Sequence, residues 1–417
     1  MILRARTLLP VAHPPIDGGA VIIARNRVRA AGAWTEVQTR ARRGEQTIDL
    51  GDVALLPGLV NAHCHLDYTD MAGQLPPPRS FTDWIAHITV AKSGWGYSDY
   101  ARSWLRGAQM LLHGGVTTVA DIEVIPDLLP EVWNATPLRV FSFLEMTGIR
   151  ARRQPGEILR ETVEKVDSLS HPRCRASLSP HAPYSTLPEL LRLSAAMARR
   201  RRRRITTHVA ESQDEFEMFR NAGGRMFDWL KRNERDNADC GLGSPVAHLD
   251  RCRMLGENLI AVHVNCLAPG DAALLGQKRV HVVHCPRSHE YFRHPPFLLR
   301  RLARAGVNLC LGTDSLATIR KTGRQEPELS LFAEMRALAA NDPHLAPAEV
   351  LRMATANGAR ALGLAGQIGE LSPGTLADLV AIPFAGNISE AAEAVVQFSG
   401  RVAASMIDGQ WAIAPAA

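Results

Sequence analysis

Two histidines stand one residue apart at the end of an apolar run, in the segment LLPGLVNAHCHLD, as His63 and His65 around Cys64. Side chains at i and i+2 of a strand project to the same side, so both imidazoles can address one point at the mouth of a sheet or barrel. That is half of a metal site. In ITTHVAES, His208 ends another predicted strand and Glu211 follows three residues later. The spacing suits a third ligand with a carboxylate nearby that handles protons without coordinating. In LCLGTDS, Asp314 follows an apolar strand, where an unpaired buried carboxylate is costly and a cation or hydrogen-bonded partner is expected. His263 in LIAVHVNCL and His181 in SLSPHAPYS add imidazoles at two further strand ends. Taken singly, each has a plain structural reading: a histidine satisfied in a core, or an acid favoured by the first turn of a helix. Their coincidence is what carries weight, because five predicted strands end in His or Asp on the one face where barrel enzymes keep their chemistry.

The elements that must position these residues are short β-rich runs alternating with longer helical stretches. Strands are expected at Leu56–Ala62, Val116–Asp121, Leu138–Leu144, Ala176–Pro180, Ile205–Val209, Leu259–Val264, Val280–Cys285 and Val307–Gly312. Helical spacing of apolar residues marks Tyr100–His113, Leu187–Arg203, Glu211–Asn221 and Pro296–Ala305. After Pro347, AEVLRMATANGARALGL reads as one closing helix ended by Gly363. Eight strands separated by helices predict an α/β chain whose parallel sheet closes into a (β/α)8 TIM barrel over residues 56–369. Both ends of the chain return to β character, at Met1–Leu9, Ala20–Ala24 and Arg27–Ala31, and again at Ala377–Ile382, Val402–Ile407 and Gln410–Ile413. Residues 1–55 and 370–417 are therefore expected to form one small composite β-sandwich.

At 417 residues, the chain suits one large barrel and an accessory domain. Its 46% hydrophobic and 22% charged residues argue against any long disordered tract. The balance of 48 Lys and Arg against 42 Asp and Glu gives +6, and much of the surplus is the single run Arg199–Arg204. That run closes a predicted helix, whose negative dipole end tolerates cations. Without interleaved aromatics it reads as a solvated face, not a nucleic-acid site. Seven scattered cysteines suggest a reducing interior, so the cytoplasm is the expected location. No leader pattern opens the chain and no run approaches about 18 apolar residues, so neither export nor a membrane is expected.

The motifs PGLVNAHCHLD, THVAES, VVHCPRS and LGTDS, in this order over nearly the whole chain, resemble the amidohydrolase superfamily. Within it, the pattern is similar to the branch of S-adenosylhomocysteine/methylthioadenosine deaminases, aminofutalosine deaminases and triazine hydrolases. The resemblance implies that His63, His65, His208 and Asp314 bind one divalent metal, zinc in the first instance with iron or manganese as alternatives. It implies Glu211 as proton shuttle, His263 as the group that polarises the attacked centre or assists the nucleophile, and His181 as a substrate contact. Dinuclear relatives carry a carboxylated lysine at the end of the fourth strand, where this chain has SLSPHAP, so one metal is expected. Three neutral imidazoles and a carboxylate leave most of a dication's charge in place, which lowers the pKa of a bound water from about 15.7 toward roughly 7 and yields hydroxide at neutral pH. The implied reaction is hydrolytic deamination of an aminopurine nucleoside, with 6-amino-6-deoxyfutalosine or another adenosine derivative as the specific expectation. Hydrolysis of a guanine-, pterin- or triazine-type ring is the alternative within the family, and an inactive scaffold is the alternative outside enzymes. Barrels of this type often pair, which leaves a homodimer open.

Some residues depart from the pattern. The segment SFTDWIAHITVAKSGWGYS offers Asp83, Trp84 and Lys92 but no clear acid for ribose hydroxyls. Trp84, spaced helically with Ile85 and Ile88, reads as core in preference to a stacking platform. Glu145 follows the third strand, with Arg150, Arg152 and Arg153 behind it; Glu145 and Arg150 are the candidates for substrate contact, the arginine meeting a substrate carboxylate. The competing reading of these arginines is a solvated basic loop. His289 stands where members of the branch commonly have Asn, and Cys64 should point away from the metal into packing.

Overall fold

The structure is a computed structural model that describes residues 1–149, 153–321 and 326–416. Eight strands pair in chain order, each parallel to the next: Leu59–Cys64, Val116–Glu123, Arg139–Met146, Arg175–Pro180, Ile205–Val209, Leu259–His263, His281–His284 and Asn308–Leu311. The ring closes where the N–H groups of Thr313 and Asp314 both donate to His63 O, at 3.0 and 3.2 Å, and Cys64 bridges to Asp314. Closure depends on Gly312, because a Cβ there would lie 2.8 Å from His63 O. The expected (β/α)8 barrel is thus present.

Two apolar layers hold it. Val60, Ala62, Ile122, Phe143, Ile260, Val262, Val283 and Cys310 pack inside the barrel. Leu59, Val119, Val140, Ile205, Ala261 and Leu309 pack outward against helices, among them Tyr97–His113 and Pro188–Arg200 through Trp104, Leu111, Leu190 and Leu191. The alternation of inward and outward residues along each strand follows from the pleat.

The chain ends build one further sheet of eight strands, in which Ile2–Leu8, Ile16–Ala24 and Arg27–Ala33 join Val53–Pro57, Leu379–Pro383, Ala404–Ile407 and Gln410–Ile413, with Thr47–Asp49 paired to the first of these. Its core gathers Leu3, Leu8, Val21, Leu55, Leu379 and Met406. Two expectations need correction. The run Leu56–Ala62 is not one strand: Leu56 and Pro57 pair antiparallel with Val380 and Leu379, and the barrel strand begins after Gly58. Gly58 crosses against the second strand, where a Cβ would lie 2.1 Å from Thr117 Oγ1. The closing helix is also two, Pro347–Met353 and Ala356–Ala361, broken at Thr355, whose φ and ψ of −138° and −97° are not helical. The break frees Ala354 O to accept from Val60 N at 2.8 Å, fastening the helix to the first barrel strand.

A buried ion pair ties the terminal sheet to the barrel. Arg139, in the third strand, donates from Nε and Nη2 to Asp378 at 3.2 Å each, and Asp378 also accepts from Asp408 N at 2.7 Å. The Arg199–Arg204 run lies at the end of Pro188–Arg200 as expected, with Arg201 and Arg203 paired to Asp167. Among the described residues no helix is long and apolar enough to cross a membrane, and all seven cysteines are buried and unpaired.

Candidate active site

His63, His65, His208, His263 and Asp314 converge at the exits of the first, fifth, sixth and eighth strands. Nε2 of His65 lies 3.3 Å from Nε2 of His208, and Nε2 of His63 and of His65 each lie 3.7 Å from Asp314 Oδ1. Donors held about 2.1 Å from one tetrahedral ion stand roughly 3.4 Å apart, so this spacing is that of a ligand set around a single cation. The ligand atoms of His63, His208 and His263 also fall within 4.8 Å of one another, as do those of Glu211, His263 and Asp314. Nε2 of His63 is buried with no hydrogen-bond partner, which is costly unless a cation takes its lone pair.

Local backbone aims these groups. Along Leu259–His263, Ile260 and Val262 face the barrel interior, so simple alternation would turn His263 outward. A left-handed backbone at His263 and Val264, φ +74° and +54°, breaks the alternation and turns the imidazole into the mouth. On the first strand, a register shift between Asn61 and Cys64 does the same for His63 and His65, while Cys64 packs into the outer core as expected. Asp314 is itself left-handed, φ +54°. His208 Nδ1 faces His181 O at 2.9 Å; as the carbonyl can only accept, the N–H sits on Nδ1 and leaves the Nε2 lone pair for a cation.

Electrostatics agree with ligand-ready forms. Burial holds His65 well below the usual imidazole range and His208 at about 3, so both are neutral at physiological pH. Burial lowers His263 likewise. Burial alone would raise Asp314, but the surrounding imidazoles, His63 foremost, outweigh it and keep the carboxylate well below its ordinary value. Glu211 behaves oppositely: burial, then the negative charges of Asp314 and Glu215, push it far above the usual carboxyl range, so it can hold a proton near neutrality. Its Oε1 lies 3.4 Å from His263 Nε2. Its backbone is clamped, the N–H donating to Glu215 Oε2 at 2.9 Å and the carbonyl accepting from Asn265 Nδ2 at 2.9 Å. Glu211 precedes the N-cap, Ser212, of the helix Gln213–Asn221, so it is not the first-turn acid that a helix dipole would explain.

Above this cluster opens a cavity of about 630 Å³, within the range of small-molecule sites. His181 and Glu145 line it, with His181 Nε2 3.9 Å from Glu145 Oε2 and His181 Nδ1 2.6 Å from Ser185 Oγ. Arg150 and Arg152 lie outside the described residues; Arg153 lines the cavity and pairs with Glu161. The sequence reading missed what forms the roof. One face of the helix Phe81–Lys92, comprising Phe81, Trp84, Ile85, Ile88, Thr89 and Lys92, covers the cavity, so Trp84 faces it and is not a plain core residue. Trp84 Nε1 is buried without a partner. Lys92 Nζ sits 4.7 Å from the centre of the Tyr68 ring, and Trp229, in the same apolar cluster as Phe81, also lines the cavity. His289 is not in the cavity; its Nδ1 lies 3.1 Å from Asn265 Oδ1, two hydrogen bonds from Glu211.

The sequence family described as the amidohydrolase family matches residues 54–412. The chain belongs to this family. Among the relatives of this amidohydrolase is a 5-methylthioadenosine/S-adenosylhomocysteine deaminase from Syntrophobacter fumaroxidans, 33% identical over 385 residues that cover 88% of this chain and 80% of the relative. Among solved structures, the aminofutalosine deaminase of Helicobacter pylori, in complex with methylthio-coformycin, superposes with a TM-score of 0.86 at 20% identity, over 98% of this chain and 99% of that one. An atrazine chlorohydrolase from Arthrobacter aurescens, complexed with zinc, superposes with a TM-score of 0.82 at 19% identity, over 98% and 94%. The likeness to these structures is one of fold.

Proposed function

We propose that this amidohydrolase is a mononuclear, zinc-type hydrolytic deaminase of an adenosine-like nucleoside, with 6-amino-6-deoxyfutalosine as the first substrate to test. The observation that carries the reading is the placement of a Glu211–His263 pair beside a three-imidazole, one-carboxylate donor set at the floor of a large, aromatic-roofed cavity. His63, His65, His208 and Asp314 would hold the cation, which when bound supplies the acidity that lets a water lose its proton near neutral pH.

The remaining steps belong to the chain. Asp314, kept anionic, takes the proton that the attacking water gives up. Glu211, kept protonated, donates to the ring nitrogen next to the attacked carbon, so negative charge does not accumulate there. His263, whose Nε2 lies 3.4 Å from Glu211 Oε1, stabilises the oxygen that adds to the carbon. A C–O bond forms, the exocyclic C–N bond breaks, and the departing amine gains a proton relayed through Asp314 or Glu211 and leaves as ammonia. Trp84 and Trp229, which line the cavity, would stack on a ring, and His181 and Glu145 would bind polar groups at its edge. The cavity exceeds what a bare base fills, which favours a nucleoside with an extended substituent. The supporting sequence relative is a deaminase of such nucleosides. We place the reaction in the cytoplasm, in keeping with seven unpaired cysteines.

The test is ammonia release by zinc-loaded protein from aminofutalosine, S-adenosylhomocysteine, methylthioadenosine, adenosine, adenine, guanine, cytosine and a pterin amine. Release from one of the nucleosides is expected. Silence across the panel with metal present overturns deamination in favour of hydrolysis of another ring substituent.

A further inference from the structure

Next to the reaction cavity lies a second one, of about 340 Å³, that the proposed mechanism does not use. Among the described residues Phe81 alone lines both. Four arginines from four separate segments surround the second cavity: Arg79, Arg225, Arg293 and Arg320. Each is exposed, and none makes an ion pair among the described residues. The one acid in the lining, Asp214, is already engaged, accepting from Thr82 N at 3.0 Å and Thr82 Oγ1 at 2.7 Å. Counting four guanidiniums against that carboxylate leaves 4 − 1 = +3 around one depression, half of the +6 carried by the whole chain.

One further feature concerns the helices at its rim. The helices Phe81–Lys92 and Gln213–Asn221 both begin at this cavity, through Ser80 and Ser212, with Asp214 already accepting from Thr82 N in the first turn of the former. Unpaired like charges gathered around a concavity repel one another, and a bound anion relieves that repulsion. Guanidinium forks match phosphoryl oxygens two at a time.

We propose that this cavity is a binding site for a small phosphoryl anion, separate from the reaction cavity. The ligand bridges Arg79, which precedes the roof helix, to Arg225 and Arg293 on the facing segments. It thereby fastens the start of the helix that carries Trp84, Ile85 and Ile88 over the substrate.

The experiment titrates inorganic phosphate into metal-loaded protein by calorimetry and by thermal melting, against sodium chloride at equal ionic strength. Neither readout depends on deaminase activity, so the outcome is independent of the proposed reaction. Saturable binding is expected, weakened at least about tenfold in Arg225→Gln/Arg293→Gln, since each lost charge-assisted bond is worth about that factor. Binding is expected to persist in Asp314→Ala, which disables the metal site. No saturable binding, equal binding by the double variant, or loss of binding in Asp314→Ala would each overturn the proposal, the last by placing the phosphate on the metal.

Discussion

Glu211→Gln isolates the proton-transfer step from everything that builds the site. The amide keeps the volume of the buried carboxyl, and the backbone clamps to Glu215 and Asn265, each at 2.9 Å, do not involve the changed atoms. The side chain also stays free of the His63, His65 and Asp314 contacts at 3.7 Å that define the ligand set. What disappears is a carboxyl whose burial, together with Asp314 and Glu215, keeps a proton available near neutrality. A positioned general acid is worth about 10²–10⁴ in rate, or roughly 3–5 kcal/mol of barrier. The expected result is a turnover lower by that factor, KM within about threefold, and an unchanged one zinc per chain. Ammonia release read beside metal content by mass spectrometry gives both numbers on one sample. Turnover within tenfold of the parent would refute the shuttle role; loss of zinc along with turnover would make Glu211 a ligand.

Trp84→Ala should raise KM about tenfold or more, because stacking on a ring contributes about 1–3 kcal/mol, while kcat changes little; a fall in melting temperature with KM unchanged would return Trp84 to the core. His289→Phe should lower kcat several-fold without altering KM, because Asn265 must donate to Glu211 O and so relies on His289 Nδ1–H to hold its Oδ1; His289→Asn, which keeps a donor, should restore it, and equal loss in both variants would show that the imidazole fills space. Asp378→Ala removes the carboxylate that Arg139 hydrogen-bonds and leaves it only Asp408 Oδ1 at 3.9 Å, so urea unfolding should show about 3 kcal/mol of lost stability; a loss below about 1 kcal/mol would mean that Asp408 or water replaces Asp378 at Arg139.

The candidate cluster was legible because its signal is local: an imidazole or carboxylate at the end of an apolar run needs no knowledge of what packs above it. His63, His65, His208 and Asp314 each carry that mark, and the structure brings them together. Trp84 was not legible for the same kind of reason. A helix that roofs an apolar cavity shows the same three-and-four spacing as one that roofs a solid core, so Phe81, Trp84, Ile85 and Ile88 look alike in either case. The breaks at Gly58 and Thr355 escaped because each depends on a distant neighbour, Thr117 in the one case and Val60 in the other. His263 stands between these extremes. Its position at a strand end was readable, but its direction is set by a positive φ that no histidine advertises.

That positive φ bears on how the site works. Ala210, His263, Val264 and Asp314 all have left-handed backbones at strand exits, each at a cost of order 1 kcal/mol for a residue with a Cβ. The strain persists because the ladder beneath over-determines it: Val264 N donates to Val209 O and Cys266 N to Ala210 O, both at 3.0 Å, while Thr313 and Asp314 close on His63 O. Donor atoms fixed in this way stay gathered whether or not a cation is present. A cation that enters therefore binds with little ordering cost, and folded-state stability rises with its concentration by RT ln(1 + [M]/Kd). Metal binding should therefore tighten the protein against heat without moving the ligands, and the same rigidity keeps Glu211 Oε1 and His263 Nε2 3.4 Å apart beside them.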